Sequence, residues 1–150
     1  MGRRTYWSLA TYYFFHFTVA GGFYPYLAPY LLRHGLNAAQ VGELLAAVTA
    51  TKLIAPYCWA WLADHYHAHL QVVRATSFVG VVCFSGFLLE PGVAGLFVVL
   101  MLYSFFWNGT LPQFEALTLA HLGTEKHRYT RVRLWGSIGY IVTVAGFGAY

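Results

Sequence analysis

Apolar positions fall in five long runs, at 6–32, 41–62, 70–89, 93–119 and 132–150, separated by short polar stretches. The connectors read "RHGLNAAQ", "ADHYHAH", "EPG" and "AHLGTEKHRYTR". A helix needs about 20 residues, at about 1.5 Å each, to cross a bilayer. The first four runs reach that length, while the fifth meets the last residue, Tyr150, with no polar exit. The pattern predicts an all-α integral membrane protein, a multi-span bundle of four complete transmembrane helices and a truncated fifth.

Composition agrees with that reading. Of the 150 residues, 59% are hydrophobic and only 9% charged, with a mean hydropathy of +0.54. Soluble domains carry about 25% charged residues, so this chain has too little charge to cover a surface in water. The net charge of +4 is not a nucleic-acid signal, because the basic residues gather at the ends of the apolar runs. Arg3 and Arg4 followed by apolar sequence imitate a signal peptide, but the run continues to Leu32. That exceeds the 7–15 residues of a typical signal core, roughly twofold. Cys58 and Cys83 both lie inside apolar runs and read as buried thiols rather than a disulfide.

Lys and Arg in short loops set the orientation. Arg3, Arg4, Lys126, Arg128 and Arg131 fall on one side, with Arg74 and Arg133 just inside the neighbouring helices; Arg33 stands alone on the other. The amino terminus and the second and fourth connectors are therefore expected in the cytoplasm. Gly21–Gly22, Pro25 and Pro29 are expected to break the first helix, and Pro112 the fourth, freeing backbone groups that only protein or a hydrated cavity can satisfy.

Within these runs a few polar residues carry candidate chemistry. Glu115 and Arg133 lie symmetrically about Thr124, nine residues from each. A hairpin turning there would bring both to similar depth. Ser104, Asn108 and Glu115 fall within about 40° on one helix, and Arg133, Ser137 and Tyr140 within about 60° on the next. An opposed guanidinium would offset much of the penalty of a buried carboxylate. Snorkelling of both side chains to the interface is the competing reading. Lys52, near the middle of the second run, is beyond comfortable snorkelling reach and is a candidate for substrate binding or for a structural salt bridge. On the first helix Tyr12, His16, Phe23, Tyr26 and Tyr30 share a face within about 40°. They suit either a flat solute or aromatic packing, with His16 a core histidine or a proton relay. His65, His67 and His69 alternate in the second connector, yet no fixed partner such as a Cys pair accompanies them, so no metal site is expected. Phosphate loops, dinucleotide fingerprints and nucleophile elbows are absent, and the few intramembrane charges argue against an enzyme.

The second connector, "WAWLADHYHAH", resembles the signature loop of the major facilitator superfamily, with Asp64 at the acidic position, Ala60 at the small position and histidines where basic residues are usual. The segments "YFFHFTVAGGFYPYLAPYL", "LIAPYCWAWLAD" and "RVRLWGSIGYI" are similar to its phenylpropionate-transporter branch, kin of lactose permease. The resemblance implies that residues 1–150 form part of the amino-terminal transmembrane domain of such a transporter. It implies a substrate-site pair at Glu115 and Arg133, a ring stacked on the solute at Tyr140, and a conformational-switch loop at Asp64. It further implies proton-coupled uptake with the proton as coupling ion and no other cofactor, in a bacterial inner membrane. The expected partners are the lipid bilayer, a small solute and the transporter helices missing from this chain, with no nucleic acid. The solute expected is an aromatic carboxylate, with a sugar or nucleoside as the alternative. A reading of another class is a non-transporting helical bundle serving as an interaction module.

Overall fold

The computed structural model describes residues 2–89, 92–123 and 128–149. Each apolar run becomes a helix because its backbone groups have no other partner once water is excluded. The helices are α1 (Arg3–Arg33), α2 (Ala38–His65), α3 (His69–Ser85), which tightens into a 3-10 turn at Gly86–Leu89, α4 (Val93–Leu122) and α5 (Tyr129–Gly148). Among the described residues, Ala38–His65, His69–Leu89 and Val93–Leu122 are long and apolar enough to cross a membrane. The long α1 is rich in tyrosine, glycine and proline, residues that lower hydropathy without adding charge.

Local chemistry sets the ends. Asn37 caps α2 in a reciprocal box: its side-chain oxygen accepts from the Gln40 N–H at 2.9 Å, and its own N–H donates to the Gln40 side chain at 2.9 Å. Gly35 (φ +84°) and Gly123 (φ +51°) supply the left-handed residues that stop α1 and α4. The second connector is shorter than its polarity suggests. Asp64 and His65 complete the last turn of α2 and His69 opens α3, leaving only Tyr66–Ala68 between them, with His67 at φ +49°. Polar residues at a helix end keep their helical hydrogen bonds while their side chains reach water, so polarity alone did not mark the boundary. The "EPG" reversal at Glu90 and Pro91 lies outside the described residues.

None of the expected proline breaks occurs: α1 runs through Pro25 and Pro29 and α4 through Pro112; α2 likewise continues through Pro56. Gly21 and Gly22 do not interrupt α1 either. They are places of close packing, since a Cβ on Gly21 would meet the Tyr140 carbonyl oxygen at 2.9 Å and one on Gly22 the Phe147 ring at 3.3 Å.

The chain divides into two compact units, one of residues 1–35 with 118–150 and the other of residues 36–117. In the first, α1 and α5 pack along their length. Phe14 and Phe17 meet Gly139 and Gly136, Gly21 meets Tyr140, and Tyr26 meets Val144 and Phe147. Rising numbers on α1 meet rising numbers on α5, so the two helices run in the same direction. In the second unit α2, α3 and α4 pack together around Val48, Ala55, Val73, Leu96 and Leu100, each under 5% exposed.

Candidate functional site

The α2–α4 unit holds a polar cluster inside apolar helices. Thr51 and Ser104, 5% and 2% exposed, share a hydrogen bond of 2.7 Å. The Asn108 amide donates to Thr51 Oγ1 at 2.9 Å and to Ser104 Oγ at 3.0 Å. Thr51 also donates to the Val48 carbonyl at 2.7 Å. Hydroxyls here recover hydrogen bonds that water would otherwise supply. Proline follows one turn later on both helices, at Pro56 and Pro112, neither of which has an N–H to donate to the preceding turn.

Lys52 follows Thr51 and projects from the exposed face of α2. It lies 14 residues from Ala38 and 13 from His65, so its Cα is about 20 Å from either end of the helix. Glu115 is half-buried on α4, two turns beyond Asn108. Asn108 and Ser104 do share a face, as their spacing predicts, and that face is turned toward α2 through Thr51.

Two further contacts hold this unit. Trp59 donates its indole N–H to the Phe105 carbonyl at 3.1 Å, and its ring lies where a Cβ on Gly109 would stand. Thr110 donates to Thr76 at 2.9 Å and so ties α4 to α3. At the α2–α3 connection Asp64 meets His69 Nε2 at 3.3 Å, and His69 Nδ1 meets Gln113 Oε1 at 2.9 Å. Asp64 is thereby linked through an imidazole to α4.

In the α1–α5 unit His16 is buried and stacks on Tyr12, with centroids 5.8 Å apart and planes at 19°. Arg133 lies on the exposed side of α5. It donates to the Tyr129 hydroxyl at 3.2 Å, with its guanidinium carbon 5.9 Å from that ring's centroid. Tyr140 is 37% exposed, and its backbone is what Gly21 approaches.

The sequence candidates are thus distributed over both units: Lys52, Asp64, Asn108 and Glu115 in one, and His16, Arg133 and Tyr140 in the other. The turn at Thr124, on which the expected pairing of Glu115 with Arg133 depends, lies outside the described residues, as does Lys126. Thr51, Trp59, Thr76, Thr110 and Gln113 were missed as partners in the sequence reading. The only signal they offered was being hydroxyl, indole or amide groups within apolar runs. No group of three or more His, Cys, Asp or Glu among the described residues is arranged to hold a metal ion.

Apolar helices long enough to cross a membrane, joined by a buried hydrogen-bonded cluster, define a polytopic membrane protein. The family comparison makes this specific. The MFS_1 like family matches residues 6–150, and the chain belongs to it. Maltose permease of Geobacillus stearothermophilus is 28% identical over 139 residues, covering 91% of this chain and 35% of the permease. A protein of Escherichia coli provisionally named as a nucleoside transporter, YegT, is 21% identical over 130 residues, covering 87% of this chain and 31% of that protein. Another, provisionally named as a 3-phenylpropionic acid transporter, is 25% identical over 134 residues, covering 89% and 35%. The chain therefore spans about a third of the length of the curated relatives it matches. These relatives are transporters rather than enzymes. No solved structure matches the chain at comparable stringency.

Proposed function

We propose that these helices form part of a secondary active transporter that takes up a small organic solute together with protons. They act with further helices of the same protein, in a bacterial inner membrane with the amino terminus in the cytoplasm. The observation that carries the reading is Lys52, an ammonium about 20 Å from either end of a membrane-spanning helix and next to a buried hydrogen-bonded cluster. A charge at that depth is expensive in lipid and marks a solute or ion pathway by default.

The solute class we favour is an aromatic carboxylate. A cation at Lys52, within an apolar span, suits the carboxylate of such a solute. Glu115 would then serve substrate binding or proton coupling, and Asp64 the switch between inward- and outward-open states. The likeness to a relative named for phenylpropionic acid supports this choice. A sugar or nucleoside is the second reading, supported by the names of the other two relatives and by the hydroxyl and amide groups around Asn108.

Uptake of labelled 3-phenylpropionate, maltose and uridine into membrane vesicles carrying the full-length protein separates these readings. The expected result is phenylpropionate uptake that Lys52→Gln reduces at least tenfold, since about 1.4 kcal/mol of lost anion binding is already a factor of ten. Uptake of maltose or uridine alone would move the assignment to the second reading. Inertness toward every solute, in correctly inserted protein, would support the non-transporting bundle.

A further inference from the structure

We propose that the start of the α1–α5 pair is a binding site for an anionic phospholipid, independent of the solute pathway. Because α1 and α5 run parallel, their amino-terminal ends lie at the same end of the unit. Between them is a cavity of about 320 Å³ lined by Gly2, Arg3, Tyr6, Arg128 and Arg131. Three arginines line this space, and no carboxylate is among the described residues of its wall. Neither helix carries a side-chain cap or an acidic residue in its first turn, so the dipoles of both add to the positive field. Guanidinium forks match phosphate oxygens in shape as well as charge.

Beside this pocket the same helices form an apolar groove of about 280 Å³, lined by Trp7, Ala10, Thr11, Phe14, Phe15 and Trp135. The two spaces share a wall: Trp135 donates its indole N–H to the Tyr6 hydroxyl at 3.2 Å, and the Trp7 and Trp135 rings lie 5.5 Å apart. From Trp7 to Phe15 the groove rises about 12 Å. That is close to one leaflet of a hydrocarbon core about 30 Å thick. A basic pocket at the helix ends, then indoles, then an apolar groove of leaflet depth matches the headgroup and acyl chain of one lipid. A free phosphate would use only the first of these. Basic pockets between spanning helices recruit anionic headgroups in this way.

The test compares phosphatidylglycerol and phosphatidylcholine bearing the same brominated acyl chains as quenchers of tryptophan fluorescence, in neutral-detergent micelles of the full chain. Phosphatidylglycerol is expected to quench at the lower mole fraction. Arg3→Gln and Arg131→Gln should each weaken it about fivefold, and together about thirtyfold, from roughly one surface-charge contact per arginine. Quenching by phosphatidylcholine should not change, which also reports that the variants are folded; both arginines are exposed. Arg33→Gln, at the far end of α1, should leave both lipids unaffected. Equal quenching by the two lipids overturns the proposal, as does a preference that survives the double substitution. Displacement of the lipid by millimolar inorganic phosphate would also overturn it, assigning the pocket to a soluble anion.

Discussion

Gly139→Ala tests whether α1 and α5 meet as closely as described. The new Cβ would fall on the Phe14 carbonyl oxygen and 2.8 Å from the Thr18 hydroxyl. The carbonyl is backbone and cannot rotate away. Carbon–heavy-atom contacts are comfortable at about 3.5–4.0 Å, so the helices must separate on the order of an ångström and lose dispersion along the seam. Overpacking of this kind costs about 1–3 kcal/mol, and a backbone obstacle places it at the upper end. Replacing glycine by alanine returns up to about 1 kcal/mol of helix propensity. The net expectation is a loss of about 2 kcal/mol. Gly146, on the same helix, has no described atom within 4 Å of a built Cβ, so Gly146→Ala should gain up to about 1 kcal/mol. The two variants are therefore separated by about 2–3 kcal/mol of opposite sign, more than a thirtyfold difference in folding equilibrium. Unfolding in mixed micelles by titration with sodium dodecyl sulfate, followed by circular dichroism, measures both. Equal stabilities, or Gly139→Ala above wild type, would refute the close approach.

Other expectations follow the same logic. Thr51→Val leaves Ser104 and Asn108 without their shared partner and should destabilise the α2–α4 unit by about 0.6–1.7 kcal/mol, with a comparable coupling energy in a cycle with Ser104→Ala. Additive effects of the two substitutions would show that the hydrogen bond is not formed. Asn37→Ala removes the capping box of α2 and should cost about 1 kcal/mol, readable in the same titration; Asn37→Gly should cost only a few tenths.

Helix existence was legible because the chemistry behind it is one-dimensional: a long apolar run in lipid can satisfy its backbone only as a helix. The connection between α2 and α3 was less so. Its histidines and Asp64 look like loop, yet a polar residue continues a helix freely once its side chain reaches the interface. Gly21 and Gly22 were read as weak points of α1, although the same missing Cβ that weakens a helix also admits a neighbour's backbone. Deciding between those uses requires knowing that Tyr140 lies opposite, which is information about the partner helix. Asn108 was legible as a member of a polar face with Ser104. Its bond to Thr51 was not, because 57 residues separate the two and only packing joins them. The arginines at the start of α1 and α5 were visible as a topology signal. That they share a pocket depends on the parallel course of the two helices.

The most direct test of the transporter reading is gradient-driven uptake by the full-length protein in right-side-out vesicles, comparing wild type with Glu115→Gln. Phenylpropionate would be measured with and without an inward proton gradient. The account predicts accumulation above equilibrium in wild type only when the gradient is imposed, and its loss in the variant. Accumulation that is indifferent to the gradient, or fully retained in Glu115→Gln, would contradict proton coupling through this carboxylate.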